Sequence, residues 1–315
     1  MAGFLAKRGL TLLATLLATS LIVFLVLEIL PGDPALLLLG TDASDEQLAV
    51  LRSQLGLDRP AHIRYLAWIG ALLQGDFGIS YAYKTPVWPL IAERLWLTYP
   101  LALNAMALSI ALALGLGLLA ARQHNRLGDV LIMGLSQIGI SIPSFWFGIL
   151  LILLFAVHLG WFAAGGFAGW ADIAAGYKSL ILPSLALAVV QAAILARITR
   201  SSLLEVLRED FVRTARAKGL SQGAVLRRHV LRNALIPVIT VIGLQFGGLL
   251  AGAIVVEQVF SLPGLGRLVF QAISNRDIEV VKAAVILLAF TVVVVNFFVD
   301  LLYALIDPRL AAQDA

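Results

Sequence analysis

Apolar residues are gathered into six long blocks, separated by stretches in which charged and polar residues recur. About 20 apolar residues in helical form cross a bilayer core of about 30 Å. Blocks of this kind cover residues 9–30, 98–121, 130–159, 180–196, 235–256 and 280–306. The pattern predicts an all-α, polytopic membrane protein with six transmembrane helices. The block at 180–196 is short. The block at 130–159 is overlong and holds Pro143, which removes a backbone hydrogen bond and predicts a kink. The first block has two features of a signal peptide, the basic pair Lys7 and Arg8 and the small triplet Ala18-Thr19-Ser20. Its apolar run continues ten residues past the triplet, beyond the length of a signal core, so it reads as an uncleaved transmembrane helix.

Charge sets the expected orientation. With the N-terminus inside, fourteen Lys and Arg residues fall on the cytoplasmic side and nine outside. Five of those nine sit in the long segment 31–97, where the positive-inside rule has least force. Both termini are therefore expected in the cytoplasm. Composition narrows the class further. Only 13% of the 315 residues are charged and 60% are hydrophobic, with mean hydropathy +0.94. Soluble domains carry about 25% charged residues, so a soluble enzyme, a disordered chain and a nucleic-acid-binding module are excluded. Cysteine is absent, which removes disulfides and thiolate metal sites. His62, His124, His158 and His229 lie far apart, without metal-ligand spacing.

Two segments outside the bilayer carry design. In 31–97, Pro31-Gly32-Asp33-Pro34 stops the first helix. Ser44 to Gln47 fits a capping box, Leu48, Leu51 and Leu55 share a helical face, and Gly56 is a natural stop. A second amphipathic stretch follows Pro60, with Ile63, Leu66 and Ala67 on one face. Trp68, Trp88 and Trp96 suit the headgroup level. This segment is either a lid resting on the membrane or a docking platform for an external protein. The stretch 197–232 holds nine basic and three acidic residues. Leu203, Leu204, Leu207 and Phe211 form an apolar stripe, Gly219 breaks the helix, and Ser221 is placed to cap a new one. A helix–turn–helix hairpin at the inner membrane face is expected. Anchoring to anionic lipid accounts for the charge alone; a capped, glycine-hinged helix favours docking of a partner protein.

The run Asp210-Phe211-Val212-Arg213-Thr214-Ala215-Arg216-Ala217-Lys218-Gly219-Leu220 resembles the EAA loop of ABC importer permeases of the dipeptide/oligopeptide/nickel group. The resemblance extends to His229, to Leu231-Arg232-Asn233-Ala234-Leu235-Ile236-Pro237 and to Pro31-Gly32-Asp33-Pro34. Leu55-Gly56-Leu57-Asp58, Gly75-Asp76-Phe77-Gly78-Ile79-Ser80, Phe260-Ser261-Leu262-Pro263-Gly264-Leu265-Gly266 and Asp307-Pro308-Arg309 fit as well. The sequence departs from the broad pattern in two places. Arg213-Thr214-Ala215 stands where many permeases have Glu-Ala-Ala, and His229-Val230-Leu231-Arg232 where they have Ile-x-Leu-Pro.

The resemblance implies a type I ABC importer permease fold, and specifically the first of two homologous permease subunits. It implies segments 1–30 (N-terminal helix), 31–97 (extracytoplasmic subdomain) and 98–309 (five-helix core, coupling loop 197–234). It further implies two cytoplasmic ABC ATPase subunits that grip the loop of each permease, an extracytoplasmic substrate-binding protein, and a bacterial inner membrane. Arg213, Thr214, Ala215, Gly219, Leu220, Ser221, Arg227 and Arg228 are then the ATPase-coupling residues. No G-x-x-x-x-G-K-[S/T] phosphate loop occurs, so no cofactor is expected in this chain and ATP is expected in the partner subunits.

Polar residues inside spans are candidates for the translocation path. Ser136, Gln137, Ser141, Gln191 and Gln245 are the main ones, although small polar residues also serve helix packing. Asp300 is expected near the inner interface, solvated or paired with a basic loop residue. Small peptides are the expected cargo; a nickel chelate, opine or amino sugar is the alternative within the group. A secondary transporter carries intramembrane acidic residues or broken helices near mid-membrane, and no acidic residue lies near a span centre here. A membrane hydrolase is disfavoured because Gly139-Ile140-Ser141-Ile142-Pro143 lacks the final glycine of G-x-S-x-G.

Overall fold

The computed structural model describes residues 2–29, 34–40, 43–54 and 56–306. Pro31-Gly32-Asp33, Leu55 and Asp307-Pro308-Arg309 lie outside them. The described residues are helical, with no strand among them and a single isolated bridge between Ile79 and Pro86.

The first apolar block forms α1 (Ala2–Ile29). Three short helices follow: α2 (Pro34–Leu39), α3 (Asp45–Gln54) and α4 (Ala61–Leu73). The expected capping box opens α3. Gln47 donates its backbone N–H to Ser44 Oγ at 3.3 Å, and Gln47 Oε1 accepts the Ser44 N–H at 3.1 Å. The packing face of α4 differs from the one expected. Ile63, Leu66 and Ala67 are exposed, while Arg64, Tyr65 and Trp68 turn toward α1. Tyr65 meets Ser20 at 2.8 Å, Arg64 pairs with Glu28, and Phe24, Tyr65 and Trp68 stack together. Contacts with α1 decided the face, and the apolar side was left exposed.

Helices α5 (Val87–Arg122) and α8 (Ile173–Val206) are the long centre of the bundle. The apolar count placed only 180–196 of α8, yet the helix has 34 residues. Asp172 caps its start by accepting the Ala175 N–H at 3.1 Å, and its far end runs on past the apolar block as a polar extension. Gly117 lets α5 and α8 touch: a Cβ there would lie 2.7 Å from Thr199 Cβ and 2.9 Å from the Ala196 carbonyl oxygen.

Between these two helices the third block does more than kink. It divides into α6 (Leu127–Ser141) and α7 (Ser144–Leu151), the latter continuing as a π-helical stretch (Ile152–His158). The two parts turn by 103° at Ile142-Pro143. Pro143 sits at ψ 136, which no α-helix contains, so the chain turns there instead of bending smoothly. The coupling segment forms α9 (Asp210–Ala217) and α10 (Gln222–Val225), then a π turn (Leu226–Val230). The chain ends in α11 (Leu231–Val259), α12 (Leu265–Ser274) and α13 (Ile278–Ile306).

Five helices are long and apolar enough to cross a membrane, and the bent α6–α7 pair makes a sixth crossing if counted as one. The main core joins α5, α7, α8 and α11 through Leu101, Leu180, Leu187, Leu249, Val256 and Phe260. Helix α13 packs on α1 and α11. At one end Arg8 pairs with Asp300 at 3.0 Å. The partner of Asp300 therefore comes from the first helix and not from a loop.

Candidate coupling hairpin and translocation cavity

The hairpin is built as expected from its punctuation. Leu203 ends an apolar face of α8, and the helix stops at Leu207. The expected stripe stops there too, because Phe211 begins a new helix and is exposed. Helix α9 is strongly two-faced. Val212 and Ala215 are buried with Ala121, Leu203, Val225, Val230 and Ala234, whereas Arg213, Thr214, Arg216 and Lys218 are exposed. Gly219 has φ +82, a left-handed conformation that closes α9 at no side-chain cost. Ser221 Oγ then accepts the Ala224 N–H at 3.4 Å and opens α10. Arg227 and Arg228 are exposed on the following turn. Of the predicted coupling residues, Arg213, Thr214, Gly219, Ser221, Arg227 and Arg228 are exposed. Ala215 is buried and Leu220 half-buried, so these two fix the helix to the bundle.

An ion pair missed in the sequence ties this end together. Asp129, at the start of α6, is buried and accepts from Arg200 Nε at 2.5 Å and Nη2 at 2.6 Å. It also accepts the Asn125 N–H at 3.0 Å, and His124 Nδ1 lies 3.4 Å away. The α5–α6 turn is thereby clamped to α8 at Arg200, ahead of the start of α9 at Asp210. Arg200 lies 71 positions from Asp129, and no local pattern announces the pairing.

The break between α6 and α7 borders a cavity of about 370 Å³. Ser141 and Ser144 stand on either side of Pro143, facing Gln191 of α8 and Gly248 and Gly252 of α11. Of the predicted path residues, Ser141 and Gln191 therefore meet. Ser136 is buried away from this cavity and Gln137 is exposed outside it. Gln245 also lies outside it, with both side-chain amide atoms buried and unpartnered among the described residues.

At the opposite end two buried carboxylates hold loops that the motifs had only named. Glu257, fully buried at the end of α11, accepts from Thr98 Oγ1 at 2.6 Å and from the Arg267 N–H at 3.2 Å. Thr98 Oγ1 accepts the Leu265 N–H at 2.8 Å, and Arg94 donates to the Pro263 carbonyl at 3.2 Å. The Ser261–Gly266 turn wraps this carboxylate so closely that a Cβ on Gly264 would lie 2.2 Å from it. Asp277 is likewise buried, accepting from Ser80 Oγ at 2.5 Å and from the Tyr81 and Ala82 N–H groups at 3.2 and 3.1 Å. Tyr81 donates its hydroxyl to Glu279 at 3.2 Å. Burial, with the Glu279 carboxylate next and then Asp277, pushes the Tyr81 phenol well above its ordinary value.

The described helices thus form an apolar bundle that carries a clamped hairpin at one end. Residues 113–312 match the family described as binding-protein-dependent transport system inner membrane component, and residues 1–102 match its N-terminal family. The chain belongs to this family: it is the permease subunit of an ABC importer, a multi-pass inner-membrane protein that works with ATPase and substrate-binding partners. The glutathione transport system permease protein GsiC of Salmonella typhimurium is 44% identical over 310 residues, covering 98% of this chain and 99% of the relative. A relative from Brucella suis biovar 1, named as a peptide transport system permease protein, is 43% identical with the same coverage. Among solved structures, inward-facing forms of the MetNI methionine ABC transporter share the fold. They have TM-scores of 0.54 and 0.57 at 18% identity and cover 69% of this chain and 96% of the matched chain.

Proposed function

We propose that this protein is one of two homologous permeases that together form the pore of a small-peptide importer, with both termini in the cytoplasm. The observation that carries the reading is the keyed coupling helix. Val212 and Ala215 lock α9 into the bundle while Arg213 and Thr214 face outward, so a force on the exposed side is delivered to α8. Two ATPase subunits, one per permease, grip these helices. ATP-driven closure moves the hairpins, and hydrolysis resets them. Arg213, Thr214, Gly219, Ser221, Arg227 and Arg228 form the docking face, with Ala215 and Leu220 as its root.

Peptide cargo is supported by the names of the relatives, since glutathione is itself a tripeptide. It is supported also by the cavity chemistry. Ser141, Ser144 and Gln191 offer hydroxyl and amide groups without net charge, which suit a peptide backbone of any sequence. The open side of that cavity is the place for the second permease. This chain carries the path and the coupling face; ATP binding and hydrolysis belong to the partners.

The test is reconstitution. With its second permease, ATPases and loaded binding protein in liposomes, the chain is expected to support ATP-dependent dipeptide uptake. Alone it is expected to support none. Uptake by the lone chain driven by an ion gradient would overturn the reading.

A further inference from the structure

A further cavity lies neither at the coupling hairpin nor at the α6–α7 break. It has about 540 Å³ and lies between the end of α1, the loop before α4, α4 itself and the start of α13. Its floor is apolar and aromatic, with Phe24, Leu27 and Trp68. Its walls are charged and balanced: Arg52, Arg59, Arg64 and Lys282 face as many carboxylates. Some of these are already satisfied by one another, as Glu28 pairs with Arg64 and Glu279 with Lys282 at 2.5 Å. Others are not. Asp58 and Arg59 have no side-chain partner among the described residues, and Arg64 Nε is buried without one.

The level of this cavity is set by its neighbours. Tyr65 of α4 reaches Ser20, about 13 Å inside the end of α1. Helix α4 therefore lies along the membrane-embedded part of α1, with Ile63 and Leu66 turned outward as in a helix resting in the interface. The cavity opens where lipid headgroups sit, on the face away from the coupling hairpin.

We propose that this cavity binds the headgroup of phosphatidylethanolamine from the outer leaflet. The phosphate is met by the exposed Arg59 and the ammonium by the exposed Asp58. A guanidinium fork matches phosphate oxygens, and a primary ammonium can donate hydrogen bonds to a carboxylate. Choline cannot do so and requires open aromatic faces. Here the Trp68 face is already taken by the Lys282 ammonium, 5.8 Å from the ring centre. An anionic headgroup lacking the amine leaves Asp58 unmatched. The acyl chains run down beside the exposed Leu21, Leu25 and Val26 of α1.

The full-length protein, stripped of lipid in detergent, is titrated with phosphatidylethanolamine, phosphatidylcholine or phosphatidylglycerol of identical chains, and bound lipid is counted by native mass spectrometry. One phosphatidylethanolamine is expected to be retained about tenfold better than either rival. Arg59→Ala and Asp58→Asn, both on an exposed loop, are each expected to abolish that preference without moving the thermal midpoint. Equal retention of the three lipids, or a preference that survives both substitutions, overturns the proposal. Displacement of the lipid by alanyl-alanine also overturns it and reassigns the cavity to peptide. The readout is independent of transport, so it stands or falls separately from the proposed cargo.

Discussion

Removing the Asp129 carboxylate is the sharpest probe of how the hairpin is joined to the bundle. Its side chain is 3% exposed and that of Arg200 20%. Asp129→Ala deletes both acceptors of the guanidinium and leaves the Asn125 N–H without its partner. Breaking a buried ion pair on one side costs about 3–5 kcal/mol, because the surviving charge stays desolvated. Arg200 also lines an open groove with Glu205 and Glu209, which admits water and puts the cost at the lower end, about 3 kcal/mol. Arg200→Ala leaves the more deeply buried group unpaired and is expected to cost about 4 kcal/mol. The double substitution removes both charges and is expected to cost less than the sum by at least about 2 kcal/mol. Thermal unfolding of the four proteins in one detergent measures this cycle. In the reconstituted importer the singles are expected to lower dipeptide uptake per ATP hydrolysed. Charge reversal, Asp129→Arg with Arg200→Asp, is expected to restore part of it. Additive costs, within about 0.5 kcal/mol, together with unchanged uptake per ATP, would refute the clamp.

Gly219→Ala places a Cβ at φ +82 and is expected to cost about 1 kcal/mol; co-purification of the ATPase subunits should weaken, and unaltered recovery counts against the docking face. Gly264→Ala drives a methyl into the pinned Glu257 carboxylate and is expected to cost about 2–3 kcal/mol, read as a lowered thermal midpoint. A wild-type midpoint in that variant contradicts the wrapped turn. Tyr81 yields a pH dependence. Its folded value lies above the unfolded one of about 10, so the native state keeps a proton that the unfolded chain releases. Its contribution is complete below about pH 10 and is lost as pH rises beyond it. Tyr81→Phe is expected to flatten the fall of the midpoint in that alkaline range, and an unchanged slope rules the contribution out.

What the sequence revealed was whatever a few consecutive residues decide. Six apolar blocks, the Ser44–Gln47 box, the Gly219 break and the Ser221 cap all depend on neighbours within about one helical turn. The length of α8 escaped because its polar ends carry no apolar signal, though Asp172 was available as a capping residue. The face of α4 was misjudged because Arg64 and Tyr65 find partners on α1, a choice that periodicity cannot weigh. The 103° turn was expected as a kink, since a proline alone does not tell bending from breaking. Thr98 and Glu257 are separated by 159 positions and Ser80 and Asp277 by 197. Each reads as an ordinary loop or span-end residue until the fold joins them. Of the pathway candidates, Ser141 and Gln191 converge because Pro143 turns the chain toward α8; Gln137, one turn earlier, faces away.

On the proposed coupling mechanism, the clamp at Asp129 is also a fulcrum. From Asp129 to Ser141 helix α6 is about 18 Å long at 1.5 Å per residue. A tilt of about 10° imposed through Arg200 therefore carries Ser141 about 3 Å across the cavity mouth, the width of one peptide group. Because α7 turns away by 103° beyond that point, it need not swing with the lever. On the proposed mechanism, a small rocking at the coupling end is thereby geared up into a larger displacement at the cavity, while the wrapped carboxylates lie at the far end of the bundle.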